Sequence, residues 1–271
     1  MEKTVEGFGE EIIHIIPLGH EIDRAVKPFE RYKANKAYLL AVTETFGKYS
    51  MDMIKKQRYY VNVVTEKLKE YGIEVEHRNI DMFDILEVIK HISNIIVEEK
   101  AKDNRVFVNI SSAGRLTSVA ATLAAMAHGV KAYYVVADGY SESPEEKERH
   151  GLSICRQLRL QFLENLSLQL PKKNEMKVLV KLCRENKGLK TIDILEYLGS
   201  QKVQGFEKCV YIRSRKISRG EKINYLMKLN KGILEKLEAN EYISRERSGK
   251  YNLIKITQSG IYVAHISGEL K

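Results

Sequence analysis

Apolar and polar positions in the first 170 residues switch repeatedly between short apolar runs and stretches with a repeat of about 3.6 residues. The apolar runs predict β-strands at residues 11–18, 36–42, 73–80, 106–110 and 131–137. Helical periodicity follows the first four runs and predicts helices at residues 24–35, 51–71, 83–96 and 116–127. This alternation is typical of a doubly wound, mostly parallel Rossmann-like α/β sheet.

Short polar residues and glycines mark the ends of these predicted helices. Ser50 and Asp81 precede helical stretches, and their side chains are suited to accept hydrogen bonds from the first free backbone amides. Gly72 and Gly129 follow helical stretches and suit the left-handed conformation that ends many helices. Pro28 is expected to distort the first helix, because a proline ring interferes with the helical hydrogen bonds.

The centre of the predicted fold is the stretch from residue 106 to residue 129, in which a strand leads through a loop of small residues into a helix. The helix start and its dipole favour an anion, and Arg115 stands at this place. The alternative is an ordinary strand–helix unit whose small residues only allow close packing. The apolar positions expected to face the core are Leu116, Val119, Ala120, Leu123, Ala124 and Ala127.

Three loops follow predicted strands, at residues 19–24, 111–115 and 138–143, and should meet at the sheet edge where doubly wound folds bind ligands. The sequence contains neither GxGxxG nor GxxxxGK[ST], which excludes a dinucleotide fingerprint and a P-loop. Its 7 His and 3 Cys share no ligand spacing, so we expect no metal and no cofactor. The candidate ligand-binding residues are Leu18, Gly19, His20, Glu21, Asn109, Ser111, Ser112, Ala113, Gly114, Arg115, Asp138 and Gly139.

Residues 153–170 alternate between apolar and polar and predict two short strands, of which the last is antiparallel and leads into a linker. We therefore expect two domains, residues 1–170 and 171–271. The charge is divided at the same place. Residues 1–170 carry 23 Lys and Arg against 25 Asp and Glu, whereas residues 171–271 carry 22 against 11, a net charge of +11. Such an excess in one domain suggests a polyanionic partner for that domain.

Residues 171–271 predict a winged helix. Asn174 and Thr191 are expected to cap two helices, of which the second ends at Leu198 before Gly199. A connection over residues 200–217, a long helix over residues 219–239 and a β-hairpin over residues 242–257 follow, with the hairpin turn at residues 248–249. The inward positions of the long helix are predicted to be Ile223, Leu226, Leu229, Ile233, Leu234 and Leu237.

Basic, amide and tyrosine side chains are concentrated on this connection, the long helix and the wing, and these residue types contact phosphates and base edges of DNA. A winged helix that binds another protein is the alternative, but the net charge favours duplex DNA. The candidate DNA-binding residues are Arg213, Arg215, Lys216, Arg219, Lys222, Asn224, Tyr225, Lys228, Lys231, Arg245, Arg247 and Lys250.

Two motifs stand at strand ends, Pro17-Leu18-Gly19-His20-Glu21 at the first strand and Asn109-Ile110-Ser111-Ser112-Ala113-Gly114-Arg115 at the fourth. With these motifs, the chain resembles CARF proteins, the CRISPR-associated Rossmann-fold sensors, joined to a winged helix-turn-helix, and it is most similar to archaeal CARF transcriptional regulators. The second motif departs from the Thr/Ser-Gly-Gly pattern of the family. Ala113 stands in the place of the first glycine, and its Cβ is expected to narrow the approach to a ligand.

The resemblance implies a homodimer that holds a cyclic oligoadenylate across its two-fold axis, and winged helices that respond on DNA. Cyclic tetra-adenylate suits the symmetry, with Arg115 and the amides of residues 112–115 on phosphates and His20 and Asn109 on base or ribose. One alternative is an enzyme, a metal-independent ring nuclease that uses Arg115, Ser112 and His20. Another, suggested by Ala113, is a regulator that responds to a different nucleotide outside CRISPR immunity.

No apolar run approaches the roughly 20 residues of a membrane span. Residues 1–6 are acidic and lack the form of a signal peptide. We therefore expect a cytoplasmic protein without a membrane partner.

Overall fold

The computed structural model describes residues 10–166, 168–214, 216–248 and 251–270. The chain divides into two units, Met1–Leu168 and Gln169–Lys271. The predicted boundary after residue 170 lies two residues from this division. Within the described ranges, no helix is both long and apolar enough to span a lipid bilayer.

A six-stranded sheet with the strand order β3-β2-β1-β4-β5-β8 forms the centre of the first unit. Strands β1 to β5 are parallel, and β8 joins β5 in the antiparallel direction. β6 and β7 pair with each other outside this sheet. The prediction of a mostly parallel, doubly wound sheet is therefore confirmed. The strands are β1 Ile12–Pro17, β2 Lys36–Ala41, β3 Glu74–Asn79, β4 Arg105–Asn109, β5 Lys131–Val135, β6 Gly139–Tyr140, β7 Ser153–Ile154 and β8 Leu160–Phe162.

Both faces of this sheet are covered. β1 and β2 are buried at every position after the first residue of each strand, as expected for strands with helices on both sides. A 3₁₀ turn over Lys27–Glu30 follows the first helix, at the proline that was predicted to distort it. The helices of this unit are α1 Asp23–Val26, α2 Met51–Glu70, α3 Ile85–Lys100, α4 Arg115–Ala127 and α5 Pro144–His150.

Two predicted N-caps have different outcomes. Ser50 caps α2, and its side chain accepts a hydrogen bond from the Met53 amide, as predicted. Asp81 was wrongly predicted to cap α3, which begins later and is capped by Asp84. The Asp81 carboxylate is instead engaged by Lys48 Nζ, the Tyr49 hydroxyl and the backbone amide of residue 83. These bonds fix Asp81 in the segment before the helix.

Helix α4 ends as predicted, with Gly129 in a left-handed conformation at φ +65°. Its predicted apolar face is wrong in part, because Leu116 and Val119 are about half exposed. The buried face carries smaller side chains, which allow close packing of α4 beside α3. These buried residues are Thr117, Ala120, Ala121, Ala124 and Ala125.

The segment before the second unit was predicted to hold two strands, and only the first part of that prediction is confirmed. β8 pairs with β5 in the antiparallel direction. Residues 166 and 168–170 are not in a strand. Leu166 and Leu168 are exposed at 66% and 39%, because none of the described strands lies there to pair with them.

The second unit contains five helices among its described residues and a three-stranded sheet with the order β10-β11-β9. The predicted winged helix is confirmed, but the last helix, α10, was not predicted. Thr257 caps α10, and α10 packs against α6. The elements are α6 Lys173–Glu185, β9 Leu189–Lys190, α7 Thr191–Ser200, α8 Arg219–Leu229, α9 Glu235–Ala239, β10 Ile243–Ser248, β11 Tyr251–Ile256 and α10 Gln258–Ile266.

Three predicted helix ends in this unit are wrong. Asn174 lies inside α6 and Thr191 lies inside α7, so neither residue is the N-cap. The backbone amides of Lys172 and Lys190 donate hydrogen bonds to carboxylates in the first turns of α6 and α7, and these bonds place the start of each helix earlier than predicted. Gly199 does not end α7. A Cβ at this glycine would clash with the backbone nitrogen of Val210, so glycine is needed there for close packing against the 3₁₀ turn Glu207–Tyr211.

The long predicted helix is interrupted by a π turn at Asn230–Leu234, which joins α8 to α9. A π turn accommodates one residue more than a regular turn and shifts the inward-facing positions before it by one. Ile223 and Leu226 were predicted to be buried, but they are 48% and 36% exposed. Tyr225, next to Leu226, packs against the core instead.

Candidate functional site

A cavity of about 330 Å³ lies at the carboxyl ends of β1 and β4, where ligands bind in doubly wound sheets. Both predicted motif loops contribute to it. The cavity contains six of the predicted ligand-binding residues, namely Leu18, Gly19, His20, Ala113, Gly114 and Arg115.

The sequence analysis missed the other lining residues. Val42 directly follows β2, and Met82 lies shortly after β3, so both stand at the same edge of the sheet. The rule that ligand loops follow parallel strands could have identified them. The two residues from α2 had no comparable signal in the sequence. The complete set of missed lining residues is Val42, Met53, Gln57, Met82, Phe83, Leu116 and Thr117.

Backbone and side-chain hydrogen bonds fix the two motif loops against each other. The Gly19 amide donates to the Ser112 carbonyl at 2.7 Å, and the Ser112 hydroxyl donates to the Pro17 carbonyl at 2.8 Å. From the opposite side, Gln57 Nε2 donates to the carbonyls of Leu18 at 3.0 Å and Gly19 at 3.2 Å. Because Gln57 and Ser112 are buried, these bonds hold the cavity wall without competition from water.

Arg115 is the first residue of α4, stands exposed at the cavity, and follows Gly114 at the N-cap position. Among the described residues, no side chain caps this helix end. Glu21 and Asp138, its possible ion-pair partners, are engaged by Arg24 and Arg159 respectively. Within the described part of the chain, no carboxylate forms an ion pair with Arg115. The guanidinium and the uncapped helix start together can receive an anion.

His20 lies in the same cavity and stacks on Tyr60, with 4.8 Å between the ring centroids. Burial, together with the charge of Lys56, lowers the pKa of His20 below its usual value. The lowered pKa favours the neutral imidazole. In this form it can stack with a planar ring and accept a proton.

Six of the residues that were predicted to bind a ligand do not line the cavity, and several of them form hydrogen bonds within and between the loops. Glu21 accepts hydrogen bonds from the Ser153 amide at 3.0 Å and hydroxyl at 2.7 Å, and burial raises the pKa of its carboxyl group. Asn109 donates to the Arg24 carbonyl at 2.8 Å, and its side-chain oxygen accepts from the amide and hydroxyl of Ser111. The six residues are Glu21, Asn109, Ser111, Ser112, Asp138 and Gly139.

Beside the cavity, large apolar side chains are exposed to solvent. Phe83, Leu116 and Val119 are exposed at 60%, 48% and 52%. Two of them, Phe83 and Leu116, also line the cavity.

In the second unit, three residues that were predicted to contact DNA instead form hydrogen bonds or ion pairs with other residues of the same unit. Arg213 forms ion pairs with Asp193 and Glu196. Arg245 donates to Asn230 at 2.7 Å and pairs with Glu238. Lys228 Nζ donates a hydrogen bond to the backbone carbonyl of Gly205 and lies over the aromatic ring of Phe206.

Five other cations that were predicted to contact DNA have no carboxylate partner among the described residues. Of the two uncharged residues predicted to contact DNA, Asn224 is exposed and Tyr225 is half-buried. Arg215 and Lys250 lie outside the described residues. The cations without a carboxylate partner are Lys216, Arg219, Lys222, Lys231 and Arg247.

Comparison with protein families assigns a model to each unit. Residues 12–140 match the family model described as "HFX_2341_N:-like, N-terminal", and residues 174–268 match the DUF6293 C-terminal winged helix domain. The chain joins these two domains. The winged helix predicted for residues 171–271 is thus confirmed by a family match, and a separate model matches the unit before it.

Among curated proteins, the chain is similar to the uncharacterized protein MJ1513 of Methanocaldococcus jannaschii, with 26% identity over 147 residues, which cover 52% of this chain and 42% of MJ1513. The chain thus spans less than half the length of this relative.

Solved structures similar to the chain include two proteins in complex with a cyclic oligonucleotide and one that is activated by cyclic oligoadenylate. Enterococcus italicus Csm6 bound to cyclic hexa-2'-fluoro-hexa-dAMP has 14% identity and a TM-score of 0.43, covering 83% of this chain and 55% of Csm6. Sulfobacillus thermosulfidooxidans Can2 with cyclic tetra-adenylate has 10% identity and a TM-score of 0.39, covering 94% and 61%. A type III CRISPR defence DNA nuclease activated by cyclic oligoadenylate has 11% identity and a TM-score of 0.40, covering 93% and 38%.

Proposed function

We propose that the protein is a nucleotide-responsive, DNA-binding transcriptional regulator whose first unit binds a cyclic oligoadenylate, with cyclic tetra-adenylate as the ligand. The observation that carries this proposal is the cavity at the carboxyl ends of β1 and β4. It combines an apolar wall, the ring of His20 and the guanidinium of Arg115, which has no carboxylate partner among the described residues. Nucleotides present the matching groups, a planar base and a phosphate.

The same site supports a homodimer. A cavity of about 330 Å³ holds part of a cyclic tetranucleotide, so two copies facing each other are needed to enclose one ring. The exposed side chains of Phe83, Leu116 and Val119 provide an apolar surface beside the cavity for this contact. On a two-fold axis, each copy contributes one Arg115 to the phosphates of the shared ring.

The second unit supports DNA binding. Its net charge of +11 matches the phosphate backbone of duplex DNA, as do Arg219 and Lys222 on α8 and Arg247 on the wing, which have no carboxylate partner among the described residues. In a winged helix, the helix that precedes the hairpin fits the major groove. Paired units in a dimer suit two half-sites one helical turn apart.

Isothermal titration calorimetry of the full chain with cyclic tetra-adenylate tests this function. We expect saturation at one ring per two chains, and a change in DNA affinity in the presence of the ring. No heat of binding at micromolar protein, while linear or other cyclic nucleotides bind, would refute cyclic tetra-adenylate as the ligand. Light scattering before and after ligand addition should give the mass of a dimer.

Cleavage of the bound ring is a second candidate function. It is favoured by the neutral His20 imidazole, which lies in the same cavity as Arg115 and can accept a proton from a ribose hydroxyl. Incubation with cyclic tetra-adenylate, followed by chromatography, distinguishes the two candidates. Linear products that disappear in His20→Ala would establish cleavage, whereas recovery of intact ring leaves binding alone.

A further inference from the structure

Three large apolar side chains project from α8 into solvent. Ile223, Leu226 and Met227 are 48%, 36% and 51% exposed. Their spacing of three and four residues places them on one stripe of the helix surface. The buried position of α8 is Leu229, so this stripe does not contribute to the core of the unit.

Positive charge surrounds this apolar stripe. Arg219 and Lys222 stand on α8, and Lys231 lies two residues beyond its end; among the described residues none of these cations has a carboxylate partner. The acidic residue of α8, Glu221, accepts a hydrogen bond from the Ser218 amide at the helix start. The stripe therefore lies within a cationic surface that complements a polyanion rather than an uncharged apolar partner.

From this surface we infer which base pairs α8 contacts. We propose that Ile223 and Met227 contact the C5-methyl groups of thymine in the major groove, and that the target duplex is therefore rich in A·T pairs. The proposal rests on the proposed DNA-binding function of the winged helix. Thymine is the base that presents a methyl group in the major groove, and apolar side chains are its matching contacts. Asn224, exposed beside the stripe, carries the amide that pairs with adenine N6 and N7.

The absence of a methyl group in deoxyuridine allows a direct test. Duplexes that bind the full chain are first selected from a random library, and the tightest one is then synthesised with thymidine or with deoxyuridine at every position. Fluorescence anisotropy gives both affinities at one salt concentration. We expect deoxyuridine to weaken binding on the order of fourfold for each thymine methyl group that the protein buries, the effect of one buried carbon.

The double variant Ile223→Ala, Met227→Ala should bind thymidine and deoxyuridine duplexes with equal affinity. Val210→Ala is the matched control, because Val210 is exposed at 41% but lies on the 3₁₀ turn before α8, and it should keep the thymidine preference. Thermal melts of the variants check that the unit remains folded, as expected for exposed positions.

Equal affinity of the unchanged protein for both duplexes, with salt-dependent binding intact, would overturn the methyl contact while the proposed DNA-binding function stands. If the unchanged protein bound no duplex even at low salt, both proposals would be overturned. Conversion of a dimer to a monomer by the double variant, with the thymidine preference retained, would overturn the inference and identify the stripe as a protein interface.

Discussion

The backbone amide of Gly19 donates a 2.7 Å hydrogen bond to the carbonyl of Ser112, and this bond joins the loops after β1 and β4. A Cβ at Gly19 would lie 3.5 Å from Ala113 Cα and from the Ser112 carbonyl oxygen, an ordinary van der Waals distance, so the backbone bond joins the loops without depending on the glycine. The two loops therefore form one rigid wall. The feature expected to narrow the site, the Ala113 methyl group, belongs to this wall.

Arg115→Ala is expected to weaken the binding of cyclic tetra-adenylate about tenfold to a hundredfold, since a charge-assisted hydrogen bond to phosphate contributes about 1.5–3 kcal/mol. Stability should not change, because Arg115 has no ion-pair partner among the described residues. Calorimetry beside a thermal melt measures both quantities, with Arg149→Ala as the control at an exposed arginine outside the cavity lining. Normal binding with a lower melting temperature would instead indicate a structural role.

Gln57→Ala should lower the free energy of unfolding by about 1–3 kcal/mol, because it leaves the buried carbonyl of Leu18 and the half-buried carbonyl of Gly19 without this donor. Ligand affinity should fall as well, since the wall that these residues form becomes less ordered. Urea denaturation followed by circular dichroism measures the stability. Asn62→Ala, an exposed substitution on the same helix, is expected to have little effect. Equal losses in the two variants would argue against a role for the Gln57 amide.

The stability of the first unit should fall as the pH is lowered from 6.5 toward 4. Burial lowers the pKa of His14 to about 4, whereas the unfolded value is about 6.5, so the unfolded chain takes up the proton first. The stabilisation is fully present above pH 6.5. At pH 5 about 2 kcal/mol should be lost through this group. Denaturation of the wild type and His14→Phe at pH 7 and pH 5 isolates the effect. The same pH-dependent loss in both proteins would exclude His14 as its source.

Leu116→Asp combined with Val119→Asp should convert the proposed dimer into a monomer, because two charges would be buried in the apolar contact. Both side chains are exposed in the single chain, so folding should be retained. Light scattering measures the mass, and Leu152→Asp, at a residue exposed to 43% elsewhere in the unit, is the control. A dimer that persists in the double variant would place the contact on another surface.

Arg219→Ala combined with Lys222→Ala should weaken DNA binding and reduce the slope of log affinity against log salt by roughly 1 to 2, since each phosphate contact contributes about 0.9. Arg213→Ala should leave the slope unchanged, because Asp193 and Glu196 already pair with that arginine. Anisotropy titrations at several salt concentrations give the slopes. A larger effect from Arg213 than from the α8 pair would move the interface away from α8.

The mostly parallel, doubly wound sheet and the location of the candidate site follow from local patterns that the sequence displays. Buried parallel strands produce apolar runs, and small residues after β1 and β4 mark the loops that line the cavity. The chemical roles of single residues were harder to predict. Glu21 lies in the loop after β1 and Asn109 is the last residue of β4, but their side chains turn to Ser153 and Arg24, partners distant in sequence. Such tertiary partners leave no periodic signal along the chain.

The exposed face of α4 shows the same difficulty in a helix. Periodicity identified an apolar stripe but could not separate side chains that fill the core from side chains that stay on the surface. Ala120 and Ala124 are buried, whereas Leu116 and Val119 on the same predicted stripe are not. Close packing of α4 against α3 selects the smaller residues, which is a property of helix separation rather than of hydrophobicity.

The π turn at Asn230–Leu234 gives the sequence before it two possible helical registers. A regular α-helix through the same residues would rotate α8 by about 100° about its axis, the angle of one residue. Ile223 and Leu226 would then turn toward the core, and Lys222 and Tyr225 would turn outward. Deleting one residue in the turn, such as Gly232, would remove the bulge and keep the register in which the hydrocarbon surface faces outward. The choice between a hydrocarbon and a charged recognition surface therefore depends on whether one extra residue is accommodated in the π turn, which lies outside the helix that carries the surface.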